Sequence, residues 1–407
     1  MSAITQNKKG LKVLAAGSIM QLFLGIIYVW SVFKAPVSTH FGWDSGDVGL
    51  TASFMLCFFV IGILAGGRAQ AKYSVRILVL IGGLMVALGM LATALIPQKT
   101  LAGGAAAPVF LIFIFYGVIG GFGVGMAYNA IITAAQKWFP KNRGFATGIA
   151  VCAFGLSTVI FAPLVTKLNN IFASNINYTF FILAGVFAAA VLLLFSFIKT
   201  PEQVPNAAAP VLKGKQYTTL EMIKTPRFYL IALSLMFGTS VFFIINPDLK
   251  DLAVKGDIGW FATYLVMFVG IANALGRLGA PLMSDKIGRE GADIAILSVT
   301  ALGAFGLCFA DGVLLIVIIA LVAFCYGGYS GLYPVLTSEN FGIKNIGSNY
   351  GAVMVGFMLS ALLFPVFINK IENQPTRFFI LGILAAVGAV LVIILKIINS
   401  RKAREEN

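Results

Sequence analysis

Residues 271–289, "IANALGRLGAPLMSDKIGR", join an apolar segment to a short charged loop, and the apolar part holds one arginine, Arg277. The run starts near Gly259 and ends at Asp285, longer than the roughly 20 residues that a helix needs to cross a hydrocarbon core of ~30 Å. A guanidinium inside such a helix costs at least ~2.5–3.5 kcal/mol. Either this stretch is not a membrane span, or Arg277 has a task there. Asn273 precedes it by four residues, one helical turn, so both side chains fall on one face.

Composition decides for the membrane. Of 407 residues 59% are hydrophobic and 11% charged, with 35 Phe, and the mean hydropathy is +0.95, whereas soluble domains carry about a quarter charged residues. Runs long enough to span occur at residues 13–33, 47–66, 77–96, 107–136, 145–166, 178–198, 227–247, 258–283, 293–310, 312–336, 349–369 and 377–399. The expected fold is therefore all-α, with twelve transmembrane helices in two pseudo-symmetric six-helix halves. No small-residue cleavage site follows the first run, which reads as a retained helix rather than a secretory signal.

The basic residues orient the chain. Lys8, Lys9 and Lys12, then Arg68, Lys72 and Arg76, Lys137, Lys141 and Arg143, five in residues 199–227, Lys286, Arg289 and Lys344, and the C-terminal Lys396 to Arg404 share one face. The opposite face holds only Lys34, Lys99, Lys167, Lys250, Lys255, Lys370 and Arg377. By the positive-inside rule both termini are cytoplasmic, and the net charge of +14 needs no nucleic acid to explain it. The expectation is a multi-pass, monomeric protein of the plasma (cytoplasmic) membrane, with the lipid bilayer as its surroundings.

The longest polar segment, "KTPEQVPNAAAPVLKGKQYTTLEMIKTPR" (199–227), divides the runs six and six. The expected organisation is an N-terminal half over 1–198, a cytoplasmic linker over 199–226 and a C-terminal half over 227–407. Within the linker, Thr218 or Thr219 is placed to start a short surface helix. Each half has a basic loop after its second helix: residues 67–76, "GRAQAKYSVR", and residues 281–289, "PLMSDKIGR". A carboxylate and cations at the ends of neighbouring helices can pair and close one face of a two-domain carrier. Asp285, Arg289 and Glu339 are the candidates for such a gate, against the plainer reading of loop charges that set topology. "YGVIGGFGVGMAYNA" (116–130) and "GFATGIAVCAFG" (144–155) supply the small residues that let helices approach closely in lipid.

Enzyme chemistry is not supported. The chain has one histidine and four cysteines, with no phosphate-binding loop, no metal spacing and no nucleophile beside a base, so no cofactor and no metal are expected. Cys57, Cys152, Cys308 and Cys325 read as packing residues, and His40 as a surface residue. The acidic residues are nearly all assigned to loops, and none to a span at the depth of Arg277. A planar fork of donors beside a neutral amide suits a carboxylate better than a cation. Tyr28, Tyr116, Tyr128, Phe154, Tyr326, Tyr329, Tyr333, Phe357 and Ser360 lie in spans where they can line a cavity, or equally pack in the core.

"SDKIGR" (284–289) resembles the loop signature of the major facilitator superfamily, Gly-x-x-x-Asp-(Arg/Lys)-x-Gly-(Arg/Lys), with Pro281 at the first glycine. The 67–76 copy has Ala71 at the acidic position and Ser74 at the second glycine. "YVWSVFKAPV" (28–37), "NAIITAAQKWFPKNRGFATG" (129–148), residues 276–289 and "YGGYSGLYP" with "SNYGAVMVGF" (326–334 and 348–357) together resemble the monocarboxylate transporters and the oxalate:formate antiporters. The resemblance implies that Arg277 binds the substrate carboxylate and that Tyr28, Tyr128, Phe154 and Tyr326 form an aromatic cage. Asn273, on the same helix face, with Tyr116, Tyr329 and Ser360 completes the candidate substrate site. The oxalate antiporters hold the second carboxylate with a lysine where this chain has Phe357. A dicarboxylate would leave one charge buried and unpaired, which disfavours it.

The resemblance implies a secondary carrier of a small monocarboxylate, L-lactate or pyruvate, with a proton as co-substrate. The animal transporters place an aspartate where this chain has Asn273 and a lysine near Lys34, which makes Lys34 the candidate for proton coupling. Exchange of formate or another small acid is the alternative. A membrane receptor is a third, but the tails, 1–12 and 399–407, are too short for a soluble signalling domain.

Overall fold

The computed structural model describes residues 3–97, 108–173, 175–201, 215–247, 262–368 and 370–405, with 249, 252, 254 and 260. Lys99, Lys213, Lys250, Lys255 and most of the expected linker lie outside the described residues. Ten helices among the described residues are long and apolar enough to cross a membrane. Every described element is helical: α1 (Ala3–Leu24), a 3-10 turn (Gly25–Val29), α2 (Trp30–Phe41), α3 (Ser45–Ala69), α4 (Val75–Ala94), a π-helical turn (Phe113–Gly120) and α5 (Gly121–Trp138). They continue as α6 (Arg143–Ile171), α7 (Asn177–Leu194), α8 (Thr219–Ile223), α9 (Pro226–Ile245), α10 (Ala262–Ile287), α11 (Arg289–Gly306), α12 (Gly312–Phe341), α13 (Ile346–Ile368) and α14 (Gln374–Glu405).

These helices follow the apolar runs, and most of them start a few residues ahead of the run, where local signals set the end. Asp44 caps α3 by accepting from Gly46 N at 2.7 Å, Thr225 caps α9 ahead of Pro226, and Thr218 with Glu221 forms a capping box at α8. The short helix read in the linker is thus present, started by Thr218. The two repeated loops turn by different means. Gly288 turns α10 into α11 in a single residue at φ +84°, a conformation that glycine adopts without strain. Ser74, at the matching position, stays extended and caps α4 by accepting from Ile77 N at 3.4 Å.

The chain forms two compact units, one of Met1–Trp138 with Leu156–Glu202 and one of Phe139–Gly155 with Gln203–Asn407. In the first, glycines bring α3 and α4 against α5: a Cβ on Gly125 would stand 1.9 Å from the Phe59 carbonyl, and one on Gly62 2.2 Å from the Phe122 carbonyl. In the second, α10 and α12 approach in the same way. A Cβ on Gly276 would stand 1.8 Å from the Phe324 carbonyl, and one on Gly327 1.9 Å from the Asn273 carbonyl. Backbones this close gain dispersion along their whole length, which is what holds helices together in lipid.

Candidate functional site

The close seam of α10 and α12 positions Arg277. Its side chain is 1% exposed, and Nε donates to Asn273 Oδ1 at 2.9 Å, the same-face pairing expected one turn apart. The guanidinium lies over the Phe154 ring, 5.5 Å from its centroid. A Cβ on Gly155 would stand 2.8 Å from Arg277 Cδ and 2.9 Å from Nε, so glycine at 155 admits the side chain. Gly331 stands equally close on the other side: its Cβ would meet the Arg277 carbonyl at 2.4 Å and Pro281 Cγ at 2.6 Å. Pro281, four residues after Arg277, has no N–H to offer that carbonyl. The proline that departs from the loop signature thus loosens the α10 backbone at the arginine.

Tyr326 and Phe357 belong to a ring cluster of the same unit. Tyr326 stacks on Phe242 at 4.0 Å and meets Phe243 at 5.7 Å, and Phe357 meets Phe243 at 5.1 Å and Tyr326 at 6.2 Å. Ser360, one turn from Phe357, is fully buried and its hydroxyl has no hydrogen-bond partner. Tyr329 is placed otherwise: its hydroxyl bonds Thr300 Oγ1 at 2.8 Å, toward α11. In the first unit, Tyr28 is half-buried in the 3-10 turn, and the Tyr128 ring meets Phe59 at 5.3 Å. Tyr116 packs among Trp30, Phe33 and Phe180 at 5.0, 6.0 and 5.8 Å, and its buried hydroxyl has no partner. Lys34 is half-buried, its Nζ 3.3 Å from where a Cβ on Gly49 would stand.

The three gate candidates form one cluster. Arg289, 9% exposed, pairs with Asp285 Oδ1 at 2.6 Å and Glu339 Oε2 at 2.9 Å, and donates to Ser284 Oγ at 2.5 Å. The other carboxylate oxygen of Asp285 accepts from Phe145 N at the start of α6, at 3.2 Å, where a helix N-terminus favours negative charge. A Cβ on Gly144 would stand 2.7 Å from both oxygens of Asp285 and 2.4 Å from the Pro281 carbonyl.

α11 begins at Arg289, four residues ahead of the run expected at 293–310, and Asp293, one turn inside it, is fully buried. His40, read as a surface residue, is half-buried with its ring 4.7 Å from Phe41. All four cysteines are free thiols, and no group of potential metal ligands occurs among the described residues.

Comparison with known proteins adds the family. The model described as the Major Facilitator Superfamily matches residues 15–365. The chain is 26% identical over 351 residues to YhjX of Escherichia coli K12, named an uncharacterized MFS-type transporter, covering 84% of each. It is 25% identical over 344 residues to the oxalate:formate antiporter of Oxalobacter formigenes, covering 82% of this chain and 78% of that one. It is 25% identical over 396 residues to monocarboxylate transporter 13 of Bos taurus, covering 94% and 88%. Among solved structures, the E. coli fucose:proton symporter FucP superposes with a TM-score of 0.68 at 15% identity, over 94% of this chain and 98% of that one. This fold is all-α, twelve membrane helices in two six-helix halves.

Proposed function

We infer that this chain, a transporter that belongs to the major facilitator superfamily, carries small monocarboxylates such as L-lactate or pyruvate together with a proton, by alternating access. The observation that carries the reading is the buried Arg277 fixed by Asn273. The amide orients the guanidinium through Nε, and a carboxylate matches the planar fork of donors. Phe154 over the guanidinium leaves the cation and its ligand in apolar surroundings, where each charge-assisted hydrogen bond is stronger than in water.

From the family resemblance we assign Tyr28, Tyr116, Tyr128, Tyr326, Tyr329, Phe357 and Ser360 to the substrate path, within halves that span 1–198 and 227–407. Phe357 offers no second cation, which favours one carboxylate over two. Asp285, Arg289 and Glu339 act as a gate at the cytoplasmic face, breaking and re-forming as the halves rock. Both termini are cytoplasmic, the membrane is the plasma membrane, and the protein works as a monomer. Lys34 is the candidate for coupling that the family resemblance brings.

Anion exchange is the second reading, favoured by the similarity to a protein named an oxalate:formate antiporter. Uptake of labelled L-lactate, formate and oxalate into proteoliposomes separates the two. Symport requires an inward proton gradient to drive lactate above its equilibrium level. Exchange requires an internal anion and ignores the gradient. Oxalate taken up faster than lactate would overturn the single-carboxylate reading.

A further inference from the structure

We propose that Asp293, with Tyr333 and Ser234, forms a proton-binding site inside the second unit, loaded and emptied during the transport cycle. Asp293 lies one turn into α11 and is 0% exposed, and neither of its carboxyl oxygens has a hydrogen-bond partner. The Tyr333 hydroxyl on α12 stands beside it, but that hydroxyl is joined to Ser234 Oγ on α9 at 2.9 Å.

The other polar groups around α11 are engaged elsewhere or turned away. From α12, Tyr329 is bonded to Thr300 at 2.8 Å. On α11 itself, Glu290 accepts from Asn399 of α14 at 2.8 Å, and Arg289 holds Asp285 of α10 and Glu339 of α12. Lys286 of α10 and Lys396 and Arg401 of α14 are exposed. Among the described residues, no cation pairs with Asp293.

A carboxylate stripped of water, whose neighbouring hydroxyl is already shared with another group, is among the most expensive groups to bury, and it neutralises by taking a proton. The neutral acid fits these surroundings, since it can donate to the oxygen of Tyr333 and asks for no counter-ion. Any movement of α11 against α9 and α12 that admits water or turns the Tyr333 O–H toward Asp293 favours the carboxylate and releases the proton. The step is balanced: one O–H bond forms from a proton drawn from water on one side of the membrane, and the same bond breaks to water on the other. Asp293 is also a carboxyl that can titrate, which Asn273 is not.

This inference rests on the reading of the chain as a proton-coupled carrier, and its test separates the two. Wild type, Asp293→Asn and Asp293→Glu are reconstituted, and labelled L-lactate is followed in two modes: exchange at equal concentration without a gradient, and accumulation under an inward proton gradient. Exchange needs no net proton movement, so Asp293→Asn is expected to retain it while accumulation falls at least tenfold; Asp293→Glu restores part of the accumulation. Wild-type accumulation in Asp293→Asn overturns the inference and leaves the transport reading intact. Absence of both modes in the wild type overturns the transport reading. The proton site is then read directly, as the infrared band of a protonated carboxyl present in wild type and missing in Asp293→Asn; the same band in both proteins overturns it.

Discussion

Arg277 Nε donates to Asn273 Oδ1 at 2.9 Å, so the buried cation of α10 is aimed by an amide one turn earlier on the same helix. A hydrogen bond to a charged group contributes about 1.5–3 kcal/mol. Asn273→Ala should therefore raise the KM for lactate by about tenfold or more, with a smaller effect on the maximal rate. Asn273→Asp should lower uptake further, because the new carboxylate gives Arg277 a permanent counter-ion that competes with the substrate. Uptake kinetics in proteoliposomes check both, and an unchanged KM in Asn273→Ala removes the amide from the account.

The α10–α12 seam has no room for a methyl group. A Cβ on Gly327 would stand 1.9 Å from the Asn273 carbonyl, against backbone that cannot rotate away. Gly327→Ala should destabilise the folded protein by about 1–3 kcal/mol and lower its thermal transition in detergent. Gly185→Ala, on α7, meets nothing within 4 Å. It should be neutral or slightly stabilising, since alanine favours a helix over glycine.

Within the Arg289 cluster the two acids should not count equally. The Asp285 side chain is 25% exposed and also accepts from Phe145 N, whereas the Glu339 side chain is 54% exposed. Exposed pairs contribute about 0–1 kcal/mol, so Glu339→Gln should change transport by only a few-fold. Asp285→Asn should cost clearly more and should shift the carrier toward the state in which the cluster is broken. Transport rates and the accessibility of engineered cysteines beside Ser284 report this order, and equal effects would contradict the geometry.

Glu221 makes the start of α8 sensitive to pH. Its carboxylate accepts from Thr218 N at 2.8 Å and Thr218 Oγ1 at 2.9 Å, with Lys215 at 3.6 Å. The Thr218 N–H is the largest cause that holds this carboxyl below the ordinary glutamate value. A lowered value means that the cap is fully formed above the ordinary range and is lost as the pH falls through the lowered one. The protection of the Glu221 and Met222 amides, measured against their intrinsic exchange rates, should fall on acidification, and Glu221→Gln should abolish that fall.

Much of this was legible in the sequence because membrane helices announce themselves by length. Arg277 stood out as a charge in an apolar run, Asn273 followed from helical periodicity, and Asp285, Arg289 and Glu339 from their places at helix ends. The burial of Asp293 was not legible, because the start of its helix is expected four residues too late. Hydropathy stops at the first charge, whereas α11 starts at Arg289 because Gly288 turns the chain there. The orientation of the tyrosines was not legible either: spacing put Tyr326, Tyr329 and Tyr333 in one span, but only packing sends Tyr326 to the phenylalanines of α9 and Tyr329 to Thr300.

The central claim is that Arg277 binds the carboxylate of the transported acid. Uptake of labelled L-lactate by proteoliposomes containing wild type, Arg277→Lys or Arg277→Ala tests it most directly, with folding checked by monodispersity in detergent. Loss of a buried charged hydrogen-bonding partner costs about 2–5 kcal/mol, so Arg277→Ala should reduce uptake to background. Arg277→Lys should retain the charge but lose the fork, and with it most of the rate. Uptake by folded Arg277→Ala at the wild-type rate would contradict the claim.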